Sequence, residues 1–124
     1  ESRIAARLGA HHLITVPHHG SASSSGPDLL FATRPAWAVV SAAYGNRFGF
    51  PRAEVLERYR RHDTAVLSTI DCGALKARFP RHGAPEMTAA RETRDRLWRW
   101  FSETRCMVTS DHAMYHLERS ESRR

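Results

Sequence analysis

Cysteine is scarce in this sequence. Cys72 and Cys106 are the only two in 124 residues, far apart and without C-x-x-C spacing, which argues against a zinc knuckle or a disulfide framework. The reading that follows is two free, partly buried thiols, with a single disulfide left open. Long apolar runs are absent too: no segment approaches the roughly 18 to 20 continuous apolar residues that span a bilayer. There is no Gly-x-Ser-x-Gly elbow to mark a serine nucleophile, no internal repeat, no initiator Met and no basic-then-apolar leader. The chain is therefore read as a carboxy-terminal piece of something larger.

Positive charge is abundant. Nineteen Lys and Arg against 13 Asp and Glu leave a net charge of +6, mainly from arginine, in clusters such as Arg58, Arg60, Arg61 and Arg91, Arg94, Arg96, Arg99. This balance suits a polyanionic partner, and the guanidinium fork suits phosphate. An arginine-rich solvated surface is the plain alternative.

The stretch Val16-Pro17-His18-His19-Gly20-Ser21 organises the rest. It follows the apolar run Leu13-Ile14-Thr15-Val16, so a buried strand stops at a proline and presents two imidazoles at the sheet edge, where sites in α/β proteins are built. Imidazole is a common metal ligand and titrates near neutrality, so the pair suggests metal or proton work. On an extended chain adjacent side chains point opposite ways, so one histidine of the pair would bind while its neighbour packs. Spacing does not decide between them, and the weight is placed on His18. His11 and His12, upstream of the strand, are poor ligand candidates. Ser23-Ser24-Ser25 read as caps and turn formers before a helix opened near Pro27.

The pattern predicts helices at about 1–9, 28–33, 52–62 and 86–103, and strands at about 13–16, 37–42, 65–69 and 74–79. Strand, helix, strand implies parallel pairing, so the loop Tyr44-Gly45-Asn46-Arg47-Phe48-Gly49-Phe50-Pro51 should share the edge of the His box. In the helix over 52–62, Val55, Leu56 and Tyr59 form the inner face, with Arg52, Arg58 and Arg61 outside. The alternation Leu75, Ala77, Phe79 marks an edge strand. Composition shifts after Phe79: 80–85 reads as a linker, Leu97, Trp98 and Phe101 as one face of a basic amphipathic helix, and 119–124 as a disordered tail.

The ordered series from Val16 to Ser25, then Arg34-Pro35, Val39-Val40-Ser41-Ala42 and Asn46-Arg47-Phe48-Gly49, resembles the end of the metallo-β-lactamase-like domain of the ComEC family of competence proteins. That family takes DNA through the bacterial inner membrane. The resemblance covers roughly residues 1–79 and stops there, leaving 80–124 as a separate basic helix and tail. It implies an α/β fold, the carboxy-terminal half of a metallo-β-lactamase-like αββα sandwich, with apolar faces such as Ile14, Val16, Val39 and Leu67 lacking partners.

For function, the resemblance implies a share in a two-metal hydrolase site cleaving DNA, with a divalent metal, zinc or manganese, and His18 or His19 as a ligand. Ser21, Ser23, Asn46 and Arg47 become candidates for substrate contact. The implied partners are single- or double-stranded DNA, an upstream transmembrane channel of the same parent protein, and the competence machinery. The parent would lie in the inner membrane, with this segment a soluble domain. The family's earlier His/Asp-rich motif is absent here, so this stretch supplies a minority of the ligands, and alone it should be inactive. Phe50 stands where family members have histidine. A fold that has lost its site and only binds nucleic acid is the competing expectation.

Overall fold

The computed structural model describes residues 1–83, 85–93 and 106. The chain forms two compact units, Glu1–Ile70 and Asp71–Arg124, so the division falls earlier than the composition shift after Phe79.

In the first unit, α1 (Ser2–Ala5) precedes β1 (Leu13–Thr15), α2 (Pro27–Thr33), β2 (Trp37–Val40), α3 (Ala53–Arg61) and β3 (Ala65–Ser68); the short helix α4 (Thr69–Cys72) follows directly on β3 and runs across the boundary after Ile70. The strands form one parallel sheet in the order β1-β2-β3, with Leu13 opposite Trp37 and Val39 opposite Leu67. Each β-branched run is bounded by turn chemistry. Pro17 follows the first, and Arg34, in a left-handed conformation at the end of α2, precedes Pro35 and the second. Helical crossovers between parallel neighbours leave the carboxyl ends of all three strands on one edge.

Alternate strand residues face the helices. Val16, Ala38 and Val40 pack with Leu30 of α2 and with Val55 and Tyr59 of α3, and Ile14, Ala42, Leu56 and Val66 close the rim. The expectation of partnerless apolar faces is corrected here. Ile14 and Val16 belong to this core, Leu67 on the other face is buried, and Val39 is half-buried.

Tyr59 is 0% exposed, and its hydroxyl shares a 2.9 Å hydrogen bond with Ser25 Oγ. Burial pushes its pKa up. The Ser25 bond opposes that shift and the Glu1 charge adds to it. Glu1 also caps the entry to α2, accepting the N–H groups of Ser25 at 3.0 Å and Gly26 at 2.8 Å.

In the second unit, β4 (Leu75–Arg78) pairs antiparallel with β5 (Glu86–Ala89), and α5 (Ala90–Thr93) follows. Residues 86–89 are thus strand where periodicity predicts helix, because pairing with β4 outweighs local spacing. The stretch expected as a linker includes the connection of this hairpin. Cys72, 1% exposed, is bonded to Cys106, so the thiols expected to be free form a disulfide. Arg91 donates to the Asp71 carbonyl at 3.1 Å. Leu97, Trp98, Phe101 and the tail 119–124 lie outside the described residues. Among the described residues no helix is long and apolar enough to cross a membrane.

Candidate functional site

Three strand ends converge in the first unit. After β1 the chain enters a 3-10 turn, Pro17–Gly20, in which His18 (φ 49°, ψ 36°) and His19 (φ 56°, ψ 16°) are both left-handed. Two successive non-glycine residues in that region are strained by roughly 1–3 kcal/mol each. The turn keeps both rings exposed, and it replaces the extended geometry behind the expectation that the pair would point opposite ways.

His19 is the histidine drawn into the site. Its Nδ1 lies 2.6 Å from the carbonyl oxygen of Ser41, just past β2. A carbonyl only accepts, so Nδ1 carries the proton, and in the neutral ring Nε2 is the nitrogen left with a free lone pair. A metal-binding histidine is oriented in this way by its second nitrogen. His18 makes no such side-chain bond among the described residues, so the weight placed on it moves to His19.

The residue after Ser41 latches β2 to β3. Thr69, following β3, donates its hydroxyl to the Ala42 carbonyl at 2.9 Å and accepts the Ala42 N–H at 3.0 Å. His19, Ser41, Ala42, Ala43, Asn46, Phe48 and Phe50 then line a cavity of about 260 Å³. This fits the expectation that the His box and the Asn-Arg-Phe-Gly segment share one edge.

Asn46 builds the wall of that cavity. Its Nδ2 donates to the carbonyls of Ala43 at 2.9 Å and Phe50 at 2.7 Å, and its Oδ1 accepts the Phe50 N–H at 2.9 Å. Both amide hydrogens are engaged, so Asn46 shapes the loop and has no hydrogen left to offer a substrate. Arg47 is exposed, its guanidinium 4.7 Å from the Phe48 ring centroid. Phe48 and Phe50 stack with centroids 5.5 Å apart and planes at 17°, and Arg52 lies 5.8 Å from the Phe50 centroid. Phe50, noted in the sequence only for the histidine it displaces, is thus part of an aromatic wall.

Ser21 and Ser23 place their hydroxyls 3.4 Å from each other, outside the cavity lining. Arg58, expected in solvent, reaches back to this loop, donating to the carbonyls of Ser24 at 2.6 Å and Ala22 at 3.0 Å. Arg60 and Arg61 pair with Glu57. The guanidinium groups at the site with neither an ion pair nor a side-chain hydrogen bond among the described residues are therefore Arg47 and Arg52. The described residues hold no group of three His, Cys, Asp or Glu that could enclose a metal, so they offer one oriented imidazole in place of a whole centre.

The chain is similar to three curated proteins. It is 35% identical to Recombination protein 2 of Haemophilus influenzae over 79 residues, 64% of this chain and 10% of that protein. It is 34% identical to ComE operon protein 3 of Bacillus subtilis over 67 residues, 54% of this chain and 9% of that protein. It is 37% identical to Competence protein ComA of Neisseria gonorrhoeae over 71 residues, 57% of this chain and 10% of that protein. The chain thus spans about a tenth of the length of these relatives. No protein-family model and no solved structure matches it.

Proposed function

We propose that this chain is the carboxy-terminal part of the metallo-β-lactamase-like domain of a ComEC-type competence protein, and that the complete domain hydrolyses DNA phosphodiester bonds during uptake. The observation that carries the reading is the hydrogen bond from His19 Nδ1 to Ser41 O, which fixes the tautomer and leaves the Nε2 lone pair free to bind a metal beside a cavity at the carboxyl edge of a parallel sheet. Homology to proteins named for competence and recombination supports it.

In this reading His19 contributes one ligand, and the other ligands come from parts of the protein beyond the described residues. A divalent ion such as zinc or manganese would supply Lewis acidity toward the phosphodiester and its water nucleophile. Ser41 holds the imidazole in its orientation, Asn46 holds the facing loop, and the exposed Arg47 lies where a phosphate can be bound. The Ser21 and Ser23 hydroxyls border the same edge as further phosphate donors. The parent protein would carry its transmembrane channel upstream and work with the rest of the competence machinery.

Phe50 favours a second reading. A benzyl side chain where the family has an imidazole suits a domain that binds nucleic acid without cutting it. The complete protein, loaded with zinc or manganese, decides between them on single- and double-stranded DNA. Cleavage that His19→Ala abolishes and His18→Ala largely preserves supports the hydrolase. No cleavage by the metal-replete parent leaves the binding reading.

A further inference from the structure

Phe48 is 53% exposed, and its position is not one that the core requires. It lies on a loop, parallel-stacked on Phe50, and Phe50 is pinned through its N–H and its carbonyl by the Asn46 amide. The two rings are therefore a held platform rather than a loose hydrophobic patch. Arginines bracket it in sequence and in space, Arg47 against Phe48 and Arg52 against Phe50. Neither arginine is in an ion pair among the described residues, whereas those of α3 are tied to Glu57 or to the 22–24 backbone. A planar apolar surface flanked by unpaired guanidinium groups matches a ligand that is itself planar and apolar in one part and anionic in the next.

We infer that the cavity beside His19 takes a nucleobase of single-stranded DNA, stacked on the Phe48–Phe50 pair, with Arg47 and Arg52 holding the phosphates on either side. The inference rests on the DNA reading above and adds to it the means by which the strand is gripped. Base on aromatic stacking tolerates any sequence, because every base has a π face, and it is typical of proteins that hold single strands. A duplex keeps those faces stacked inside and cannot offer them. The cavity of about 260 Å³ is below the usual range for drug-sized ligands, as befits one base with its sugar and phosphates outside. Arg47, long and exposed, occupies the Phe48 ring in the free protein and moves to the phosphate when a base arrives. In this scheme Phe50 is a gain for binding: it completes a two-ring platform at the position where relatives of the resembled family place a histidine.

The test is binding, not cleavage, so its failure is separable from failure of the hydrolase reading. Fluorescence anisotropy of the chain with a labelled oligothymidylate is measured in EDTA at several salt concentrations. The comparison strands are the same backbone without bases, the matching duplex and oligouridylate. The expected result is a fall of roughly 5- to 150-fold in affinity for Phe48→Ala, the range for removing one base stack. Phe48→Leu, which keeps apolar bulk without the ring, should weaken binding similarly, and Phe48→Trp should bind at least as well as the parent.

The abasic strand should bind the parent as weakly as thymidylate binds Phe48→Ala, and the duplex should bind less tightly than the single strand. Arg47→Ala should flatten the salt dependence by about 0.7 in log–log slope, because one phosphate is no longer neutralised. Absence of binding by the parent overturns the inference, as does equal binding of abasic and thymidylate strands, or Phe48→Ala binding like the parent. Tighter binding of the duplex or of oligouridylate overturns the choice of single-stranded DNA. Circular dichroism of each variant confirms that the exposed substitutions leave the fold intact.

Discussion

Gly20 and Pro51 bring the two loops of the site into backbone contact. A Cβ placed on Gly20 would stand 2.6 Å from Pro51 Cβ and 3.0 Å from its Cα, at a Gly20 φ of +87°, and the Gly20 carbonyl accepts the Arg52 N–H at 2.9 Å. The glycine of the His box is therefore needed twice, for its left-handed backbone and for the space its missing side chain leaves.

Gly20→Ala should be among the costliest substitutions in the first unit. A side chain there meets both a left-handed strain and an overpacked contact, together about 2–5 kcal/mol. Urea unfolding of the variant should show that destabilisation, and the DNA binding proposed for the cavity should fall with it, because the His19 turn and the 41–52 loop are pushed apart.

Arg58→Lys should behave as a disruptive change. A lysine ammonium cannot span the Ala22 and Ser24 carbonyls with one planar fork, and removing a charged hydrogen bond of this kind costs about 1–3 kcal/mol. The expected readout is a lower urea midpoint with unchanged slope, and faster proteolysis within 21–25. Arg61→Lys, whose partner Glu57 sits on the exposed helix face, should leave both unchanged.

The alkaline limb of stability should depend on Tyr59. Its folded pKa lies above the unfolded value of 10.0, mainly through burial, so the neutral phenol is favoured in the fold. That contribution is complete below pH 10 and disappears as pH rises through the folded pKa. Near-ultraviolet titration should show the Tyr59 phenol ionising above the ordinary tyrosine value of 10.0, and Tyr59→Phe should remove that step. The variant should also cost Ser25 Oγ its shorter hydrogen bond, leaving only the 3.4 Å contact with Ser24 Oγ, at about 0.5–1.5 kcal/mol.

The second unit should respond to reductant. Cys72 and Cys106 close a loop across a sequence separation of 34, and such a link is worth about 3–4 kcal/mol in the chain-entropy view. Dithiothreitol should slow migration on a denaturing gel, and Cys72→Ser or Cys106→Ser should reproduce the slower band without reductant. Equal mobility with and without reductant would contradict the pairing.

What the sequence reveals follows the range of the physics involved. The runs at 13–16, 37–42 and 65–69 are legible as strands because β-branched residues stop at proline, glycine or a turn, and their order alone implies parallel pairing. Residues 86–89 are not legible, since helical spacing is a local property and the β4 partner that overrides it is not.

The same division runs through the site. The PHHGS box locates it, yet the choice of His19 depends on two left-handed residues and on the Ser41 carbonyl, which spacing does not encode. Asn46 and Arg58 are ordinary in sequence, one a turn residue and the other a helix cation. Their partners, the Phe50 backbone and the 22–24 backbone, appear only when the chain is folded. Cys72 and Cys106 likewise show no motif spacing, so their pairing is visible only in three dimensions.

The central claim is that His19, and not His18, is the ligand this chain gives to a divalent metal. It is tested most directly by metal content of the complete protein, measured by inductively coupled plasma mass spectrometry after equilibration with zinc or manganese. The account predicts that His19→Ala loses bound metal, that His18→Ala retains it, and that both variants unfold at urea concentrations close to the parent's. Full retention of metal by His19→Ala, or its loss from His18→Ala alone, would contradict the account.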